Sequence, residues 1–397
     1  MSGIELLVDE VDGRLHCAVT RKQGLTDLYA DALDMTGSWA SLYLGRVVKL
    51  DTKLDAAIVD LGNGLQGILP AKHVHFAGGD ASEKRTGIAN ILKGGQMLLV
   101  QIKSEGKRAS SNENHKMPRL TTKLYVLGHH LVYCPLSSPV TMSRQIERED
   151  VLSMAGKLKA KGGWILQPHA EEENLDVLQA EAQKLLEEWD VILGAEKSSE
   201  GKPRLLKGGP TALHRILFDY GAEAFDHIHV GNRKLFDAMS QWCAKYDPPL
   251  STSKRLRLYK PEKPGQTLFD MEDVASELDM LSESRIDLAC GGSIIIEPVQ
   301  ALTVVDVNRG SADTVMKANE EAALETARQL RLRNISGAIL IDFIGMEERS
   351  QRASLMDLLN ETFEGDPGGA QVHGFTRLGI VEMTRKRRSG SYAEKSG

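Results

Sequence analysis

The chain has 397 residues, which is more than one hydrophobic core usually serves, so we expect several domains of roughly 100 to 150 residues. Hydrophobic residues make up 41% and charged residues 26%, and this composition excludes wholesale disorder. The net charge of −6 does not by itself indicate a nucleic-acid-binding protein. No run approaches the roughly 20 apolar residues of a membrane helix, and the acidic N-terminus does not resemble a secretory signal. Together with four cysteines that form no CxxC pair, this predicts a cytoplasmic protein without a membrane span.

The first hundred residues read as β-structure. Three strands are expected within residues 4–36, with a turn at Asp12-Gly13. From Ser38 the β pattern becomes denser, with a hairpin turn at residues 62–64 and a further strand at 96–103. Short strands at this spacing suggest a small barrel such as an OB-fold, although a small antiparallel sandwich fits the pattern equally well.

The middle of the chain mixes strands and helices. The strands are expected at residues 123–135, 162–169 and 255–259, and the helices at 171–190, 211–221, 231–246 and 271–282. Residues 196–208 are expected to form a linker.

Charge is distributed unevenly along the chain. Residues 171–190 carry eight acidic residues against Lys184, whereas residues 371–390 carry five basic residues against Glu382. A solvated face is the ordinary interpretation of each segment. A basic segment can nevertheless attract a polyanion locally, because phosphate binding acts through counterion release.

The last 110 residues predict a βαβ unit. A strand at 293–298 is followed by the strand ALTVVDVN (301–308), a helix of about 20 residues with Asp313 as its N-cap, and the apolar strand AILIDFI (338–344). Such a unit implies two parallel strands joined by a right-handed crossover.

Two aspartates lie near the ends of these parallel strands. Asp306 and Asp342 are expected at the edge where active sites of open α/β sheets gather, about 4.8 Å apart if their strands are neighbours. Two such carboxylates repel each other unless a cation lies between them, and Mg²⁺ accepts one or two carboxylates while bridging to phosphate. Asn308 shares their side of the strand. The pattern indicates metal-assisted phosphodiester hydrolysis, but from spacing alone the alternative that both aspartates simply cap loops stays open.

Three segments carry a resemblance to a known family. GGSIIIEPVQALTVVDVN (291–308), EEAALETARQLRLRNISGAILIDFIGM (320–346) and FTRLGIVEMTRKR (375–387) closely resemble the catalytic region of the ribonuclease E/G family, the single-strand-specific, Mg²⁺-dependent endoribonucleases of bacteria. The resemblance extends more weakly over nearly the whole chain and looks like a short form of the family.

The resemblance implies an α+β and α/β multidomain architecture. It comprises an RNase H-like fold in two parts, an inserted OB-fold RNA-binding barrel, a degenerate 5′-sensor-like domain and a DNase I-like α/β catalytic subdomain. The corresponding ranges are 1–36 and 209–282, 37–122, 123–208, and 283–397.

The resemblance also implies roles for individual residues. Asp306 and Asp342 match the metal-binding aspartates that would hold one Mg²⁺ per active site, Asn308 matches the asparagine beside them, and Arg377 matches an arginine near the active site. The predicted RNA contacts are Lys116, Arg144, Arg385 and Arg387.

Three departures from the family pattern affect the expected function. Ile58 and Ile68 stand where the family presents phenylalanines, and an isoleucine cannot stack on a base. Gln167-Pro168 replaces the arginine-threonine pair that grips a 5′-phosphate, so we expect only weak dependence on the RNA 5′ end. The sequence ends at Gly397 without the CPxCxG segment that shares zinc between subunits, so we expect no zinc, and any homodimer is expected to use a non-zinc interface.

Two functions therefore compete. The first is a Mg²⁺-dependent endoribonuclease that cleaves single-stranded RNA in RNA processing, rRNA maturation or mRNA decay. The second is a catalytically weak or inactive RNA-binding or regulatory protein that retains the fold. Asp306, Asn308 and Asp342 together favour the first, because an RNA-binding protein has no need of a buried pair of like charges.

Overall fold

The computed structural model describes residues 3–22, 24–32, 35–75, 87–106, 116–137, 141–142, 156–158, 161–221, 224–246, 250, 254–261, 263 and 265–393. The strands in these ranges are β1 Glu5–Val11, β2 Arg14–Arg21, β3 Gly24–Ala30, β4 Leu42–Asp51, β5 Ala56–Gly62, β6 Leu65–Pro70, β7 Met97–Ser104, β8 Arg119–Thr121, β9 Val126–Leu127, β10 Leu131–Cys134, β11 Thr141–Met142, β12 Gly163–Leu166, β13 Arg204–Lys207, β14 His227–Val230, β15 Leu256–Leu258, β16 Arg285–Asp287, β17 Ser293–Pro298, β18 Leu302–Asn308, β19 Gly337–Asp342, β20 Gln371–Phe375 and β21 Val381–Arg385. The α-helices are α1 Ile88–Ile91, α2 Leu175–Lys197, α3 Ala212–Tyr220, α4 Arg233–Tyr246, α5 Leu268–Met271, α6 Val274–Met280, α7 Val315–Leu332 and α8 Arg349–Phe363.

The chain divides into two compact units. The first consists of residues 1–33, 223–238 and 254–397, and the second of residues 34–222 and 239–253. The finer division into five parts stays a prediction. Among the described helices, none combines the length and the apolar character that crossing a membrane requires.

The second unit contains a closed barrel. Its strands follow the order β4-β5-β6-β8-β7, and β7 pairs back onto β4. The predicted hairpin turn at residues 62–64 is present, with Gly62, Asn63 and Gly64 all at positive φ, a conformation that suits glycine and asparagine. Closure of the sheet favours the OB-like alternative over a sandwich. The prediction of a linker at residues 196–208 is wrong, because helix α2 runs to Lys197 and β13 pairs with β4 at the barrel's side.

A four-stranded sheet and the acidic helix form the rest of the second unit's core. The sheet order is β11-β12-β10-β9, and the apolar face of α2 packs against it. Asn174 caps α2, since its side-chain oxygen accepts the backbone N–H groups of Asp176 and Val177. Leu178 and Leu185 of this helix are buried beside Trp164, so the helix supplies part of the core.

A five-stranded sheet opens the first unit. Its order is β15-β14-β1-β2-β3, with β1 parallel to β14 and antiparallel to β2. The helix expected at residues 271–282 is divided into α5 and α6, because Asp273 between them adopts a left-handed conformation with φ of 55°.

The predicted βαβ unit is β18-α7-β19. It lies in a six-stranded sheet of order β16-β17-β18-β19-β21-β20, and β18 and β19 are parallel. Buried residues of α7, among them Ala323 and Leu330, pack with Val305 and Ile341 of the two strands. The predicted N-cap is wrong by one residue: the hydroxyl of Thr314, not Asp313, accepts the backbone N–H of Lys317 at 3.1 Å.

Candidate active site

Asp306 and Asp342 are direct partners across neighbouring parallel strands. Their neighbours Val305 and Ile341 are fully buried, whereas both aspartates are exposed, so strand alternation places the two carboxylates on the same open face of the sheet. Neighbouring strands lie about 4.8 Å apart. The sequence prediction that these two side chains share one sheet edge therefore agrees with the register.

Asn308 continues the same face two residues beyond Asp306. Its Nδ2 donates a hydrogen bond to Oδ2 of Asp306 at 2.9 Å, which holds the carboxylate in one orientation. On the other side, Asn308 is paired with Ser293, the first residue of β17.

Arg377 lies in a turn at the same end of the sheet, on the side of β19 that is opposite β18. It is exposed in the turn between β20 and β21, and the first residue of β21, Val381, is paired with Ile341. The turn is fixed by Thr376, whose backbone N–H donates to the carbonyl oxygen of Ile380 at 2.8 Å and whose hydroxyl accepts the N–H of Ile380 at 3.1 Å. The strand register thus places Asp306, Asn308 and Asp342, together with the turn that contains Arg377, at one end of the sheet, although they are spread over 72 positions of the sequence, from Asp306 to Arg377.

One supporting residue was missed by the sequence analysis. Asn319 of α7 is fully buried, and its amide donates to the carbonyl oxygen of Ile344 at 2.9 Å while accepting the N–H of Ile344 at 3.0 Å. This two-point contact fixes the backbone two residues after Asp342. An asparagine within the apolar face of a helix was the available signal, because a buried amide needs hydrogen-bond partners.

Asp306 and Asp342 do not form the buried pair of like charges that was expected from the sequence. Both Asp306 and Asp342 are exposed, since the face of the sheet that carries them is open. Their alignment in register, and not their burial, is what distinguishes them from aspartates that merely cap loops.

The donor set at this edge fits a hard divalent cation. Two carboxylates, with the amide oxygen of Asn308 beside them, match the ligands of Mg²⁺, which usually binds through one or two carboxylates and keeps several waters. In the part of the chain that the structure describes, no group of three or more His, Cys, Asp or Glu side chains forms a denser metal site. Asp306 and Asp342 are therefore the residues that would hold the ion.

The four predicted RNA contacts have different surroundings. Lys116 is exposed just before β8, Arg387 is partly buried just after β21, and Arg144 lies outside the described residues. The prediction for Arg385 is wrong. Its guanidinium is 6% exposed and binds the fully buried carboxylate of Asp366 at 3.0 Å, so it is occupied inside the protein.

The barrel carries a group of basic side chains that the sequence analysis did not identify. We call it the barrel basic cluster, and it consists of Lys72, His73, His75, Lys103, Arg119 and Lys123. Nζ of Lys103 lies 3.2 Å from Nε2 of His73. Burial, followed by the charge of Lys103, lowers the pKa of His73 to about 4, and burial and the neighbouring cations also lower the pKa of Lys103. Because these residues come from separate segments, only the folded barrel brings them together.

The two isoleucines of the barrel stand side by side next to this cluster. Ile58 of β5 pairs with Ile68 of β6, and the row is continued by Lys49 on one side and Arg119 on the other. Both isoleucines are partly exposed. This surface offers positive charge and apolar area, but these two positions supply no aromatic ring.

The surroundings of Gln167 and Pro168 are acidic. The backbone N–H of Gln167 donates to the carbonyl oxygen of His130 at 2.9 Å. The imidazole of His130 lies between two carboxylates, with Glu181 at 2.8 Å from Nδ1 and Glu173 at 3.6 Å from Nε2. Burial alone would raise the pKa of Glu181, but hydrogen bonding and charge from His130 lower it below its usual value.

Comparison with known proteins finds relatives that align with nearly the whole chain. Ribonuclease G of Salmonella typhimurium (strain SL1344) is 30% identical over 402 residues, covering 96% of this chain and 80% of the relative. Ribonuclease G of Haemophilus influenzae is 28% identical over 408 residues, covering 98% and 80%. Ribonuclease E of Escherichia coli (strain K12) is 30% identical over 400 residues, covering 96% of this chain but 36% of that longer protein.

The profile of the ribonuclease E/G family matches residues 126–388, a range that contains all four residues of the sheet edge. More than half of the chain is covered by this match, and relatives at 30% identity align with nearly all of it. The chain is a member of the ribonuclease E/G family.

Proposed function

We propose that this protein is a Mg²⁺-dependent endoribonuclease that cleaves single-stranded RNA. The observation that carries the proposal is the register pairing of Asp306 with Asp342 on an open sheet face. Membership of the family, and the names ribonuclease G and ribonuclease E of its relatives, support the same reaction.

The site residues divide the work of phosphodiester hydrolysis. Mg²⁺, held by Asp306 and Asp342, would supply positive charge that activates water and offsets the charge developing on the scissile phosphate. Asn308 orients Asp306 through its 2.9 Å hydrogen bond. Arg377 adds an exposed positive charge near the same edge, where it would attract the phosphate backbone. The products would carry 5′-phosphate and 3′-hydroxyl ends.

The barrel basic cluster is the part of the second unit best suited to hold the RNA backbone. Lys72, Lys103, Arg119 and Lys123 are exposed, and a concentration of cations binds polyanions through release of counterions. This interaction is independent of base sequence. We therefore assign backbone binding to this cluster together with Lys116.

The finer architecture follows the same family assignment. We propose that the sheet containing β1 is the RNase H-like fold and that the sheet containing β18 belongs to a DNase I-like catalytic subdomain. The closed barrel would be the OB-type RNA-binding domain, and the protein would act in the bacterial cytoplasm.

Recognition of the RNA 5′ end is proposed to be weak. Gln167 offers only a neutral amide, and Pro168 has neither a hydroxyl nor a backbone N–H. The two carboxylates around His130, Glu173 and Glu181, lie next to this segment. A 5′-monophosphate would therefore lie near negative charge, at the position where the family resemblance implies the positive guanidinium of an arginine.

The catalytic assignment is tested by replacing each aspartate. Asp306→Asn and Asp342→Asn are expected to reduce the rate of cleavage of a single-stranded RNA in Mg²⁺ by at least about a hundredfold. The reason is that each substitution removes one of the two carboxylates proposed to hold the ion. RNA affinity in EDTA and the melting temperature should stay close to those of the wild type. Asp357→Asn, an exposed aspartate on α8, is the matched control and should cleave normally. Undiminished cleavage in both site variants would overturn the assignment.

A further inference from the structure

The second unit contains a cavity of about 190 Å³ that the catalytic proposal does not use. Residues from the barrel, from α2 and β13, and from α3 and α4 line it. Six of the lining side chains carry aromatic rings: Trp39, Tyr125, His129, His214, Phe218 and Trp242. Two of the four tryptophans in the chain therefore face this one cavity.

Five of these six rings form two groups within the lining. Trp39 and Tyr125 lie with their centroids 6.5 Å apart at an interplanar angle of 44°. Trp242 lies 5.8 Å from His214 at 35° and 6.2 Å from His129 at 85°. These separations are typical of aromatic neighbours, so the cavity lining contains two groups of adjacent aromatic rings.

The wall that holds the first ring group is fixed by hydrogen bonds. Gln101 is 1% exposed, and its amide donates to the carbonyl oxygens of Ala40 and Tyr125 at 2.9 Å while accepting the N–H of Tyr125. Gly209 lies so close to the other side of this wall that a Cβ there would meet the carbonyl oxygen of Trp39 at 2.2 Å. The cavity is therefore preformed, as small-molecule pockets usually are.

The polar part of the lining restricts the class of ligand. Nζ of Lys207 and Oε1 of Glu188 form an ion pair of 2.7 Å, and both side chains are about a quarter exposed. Arg215 also lines the cavity; it is 6% exposed, and its Nη1 donates to the carbonyl oxygen of Pro210 at 3.0 Å. The carboxylate of Glu188 disfavours an anion such as phosphate, and the two cationic side chains disfavour a cation. A neutral planar ring with hydrogen-bonding edges satisfies both, because its faces contact aromatic rings while its edge reaches a donor and an acceptor.

We propose that this pocket binds one unstacked nucleobase of a single-stranded RNA. This inference rests on the proposed function, and it supplies the stacking that the family obtains from barrel phenylalanines. Ile58 and Ile68 cannot stack on a base, whereas the rings of this cavity can. A base in a duplex is not available to enter such a pocket, so the pocket selects unpaired RNA.

The test measures binding of the full chain to a fluorescein-labelled ten-nucleotide RNA in EDTA, where cleavage cannot interfere. Trp242→Leu is expected to weaken binding about tenfold, in the range found for loss of one stacked base. Trp242→Phe should restore most of the affinity, because it returns a ring. Phe236→Leu is the matched control, since it makes the same kind of change on the same helix outside the cavity lining.

The same RNA with one abasic nucleotide at each position in turn identifies the bound base. Removal of the base at one position is expected to weaken binding to the wild-type protein by about tenfold. In Trp242→Leu the same abasic RNA should bind no more weakly than the intact RNA, because this variant has already lost the interaction with that base. Equal loss in Trp242→Leu and Phe236→Leu, or abasic effects that persist in Trp242→Leu, would overturn the proposal. These outcomes leave the cleavage test untouched, whereas failure of wild type to bind or cleave single-stranded RNA would overturn the proposed function itself.

Discussion

The proposed weak recognition of the RNA 5′ end depends on two residues, Gln167 and Pro168, which stand where the family resemblance implies an arginine and a threonine. The structure adds that His130, whose carbonyl oxygen binds the N–H of Gln167, is flanked by Glu173 and Glu181. Charge-assisted hydrogen bonds are roughly twice as strong as neutral ones. Without a guanidinium at this position, we therefore expect much weaker binding of a 5′-phosphate.

We predict equal cleavage of RNAs with 5′-monophosphate and 5′-hydroxyl ends, within a few-fold. Initial rates on otherwise identical oligonucleotides measure the ratio. The double change Gln167→Arg with Pro168→Thr is expected to raise the ratio in favour of the monophosphate, because it returns a guanidinium and a hydroxyl. Gln183→Arg on the exposed face of α2 adds the same charge elsewhere and should leave the ratio unchanged. A tenfold preference in the wild type, about 1.4 kcal/mol, would contradict the prediction and indicate another phosphate pocket.

At the scale of elements, the sequence was informative where a periodic pattern coincides with burial. The segment ALTVVDVN (301–308) predicted β18, and the helix expected at residues 171–190 corresponds to most of α2. Glycine and asparagine at residues 62–64 located the barrel hairpin. In the βαβ unit these local signals suffice to bring Asp306 and Asp342 to one edge.

The remaining features depend on contacts between distant segments. Residues 204–207 end the segment 196–208 that the sequence predicts as a linker, yet backbone pairing with β4 makes them a strand. The barrel basic cluster and the aromatic cavity likewise assemble residues that are far apart in the sequence. Arg385 belongs to a basic run that suggests RNA binding, but Asp366, nineteen residues earlier, turns it into a structural residue.

We predict that Arg385→Met lowers the free energy of unfolding by about 3–5 kcal/mol, because it leaves the carboxylate of Asp366 buried without its partner. The guanidinium also donates to the carbonyl oxygens of Leu330 and Ile335, so three segments lose a common contact. Urea denaturation measures the change, and adding Asp366→Asn to the variant should recover part of it. Arg387→Met serves as the comparison from the same basic run. Normal stability combined with weakened RNA binding in Arg385→Met would instead support the original assignment.

For the whole molecule, buried or crowded histidines set how stability responds to pH. The pKa values of His16, His73, His75 and His229 are all lowered, in each case first by burial. The unfolded chain takes up protons near pH 6.5 while the folded protein resists them, so below about pH 6.5 the unfolded state binds more protons. For His73 this difference extends down to about pH 4. Stability from these groups is therefore present above pH 6.5 and falls as the pH is lowered. Asp9 acts in the opposite direction, since burial raises its pKa.

We predict that the urea midpoint of the wild-type protein falls steadily from pH 7.5 to pH 4.5, and that His73→Gln makes this fall shallower. The pKa of His73 drops to about 4 because burial and the charge of Lys103 oppose its protonation, and glutamine has no proton to gain. Circular dichroism at half-unit pH intervals measures the midpoints. His373→Gln, an exposed change on β20, should keep the wild-type slope. Parallel plots of urea midpoint against pH for His73→Gln and the wild type would contradict this prediction. They would mean that the folded barrel does not oppose protonation of His73, despite the 3.2 Å contact of its imidazole with Lys103.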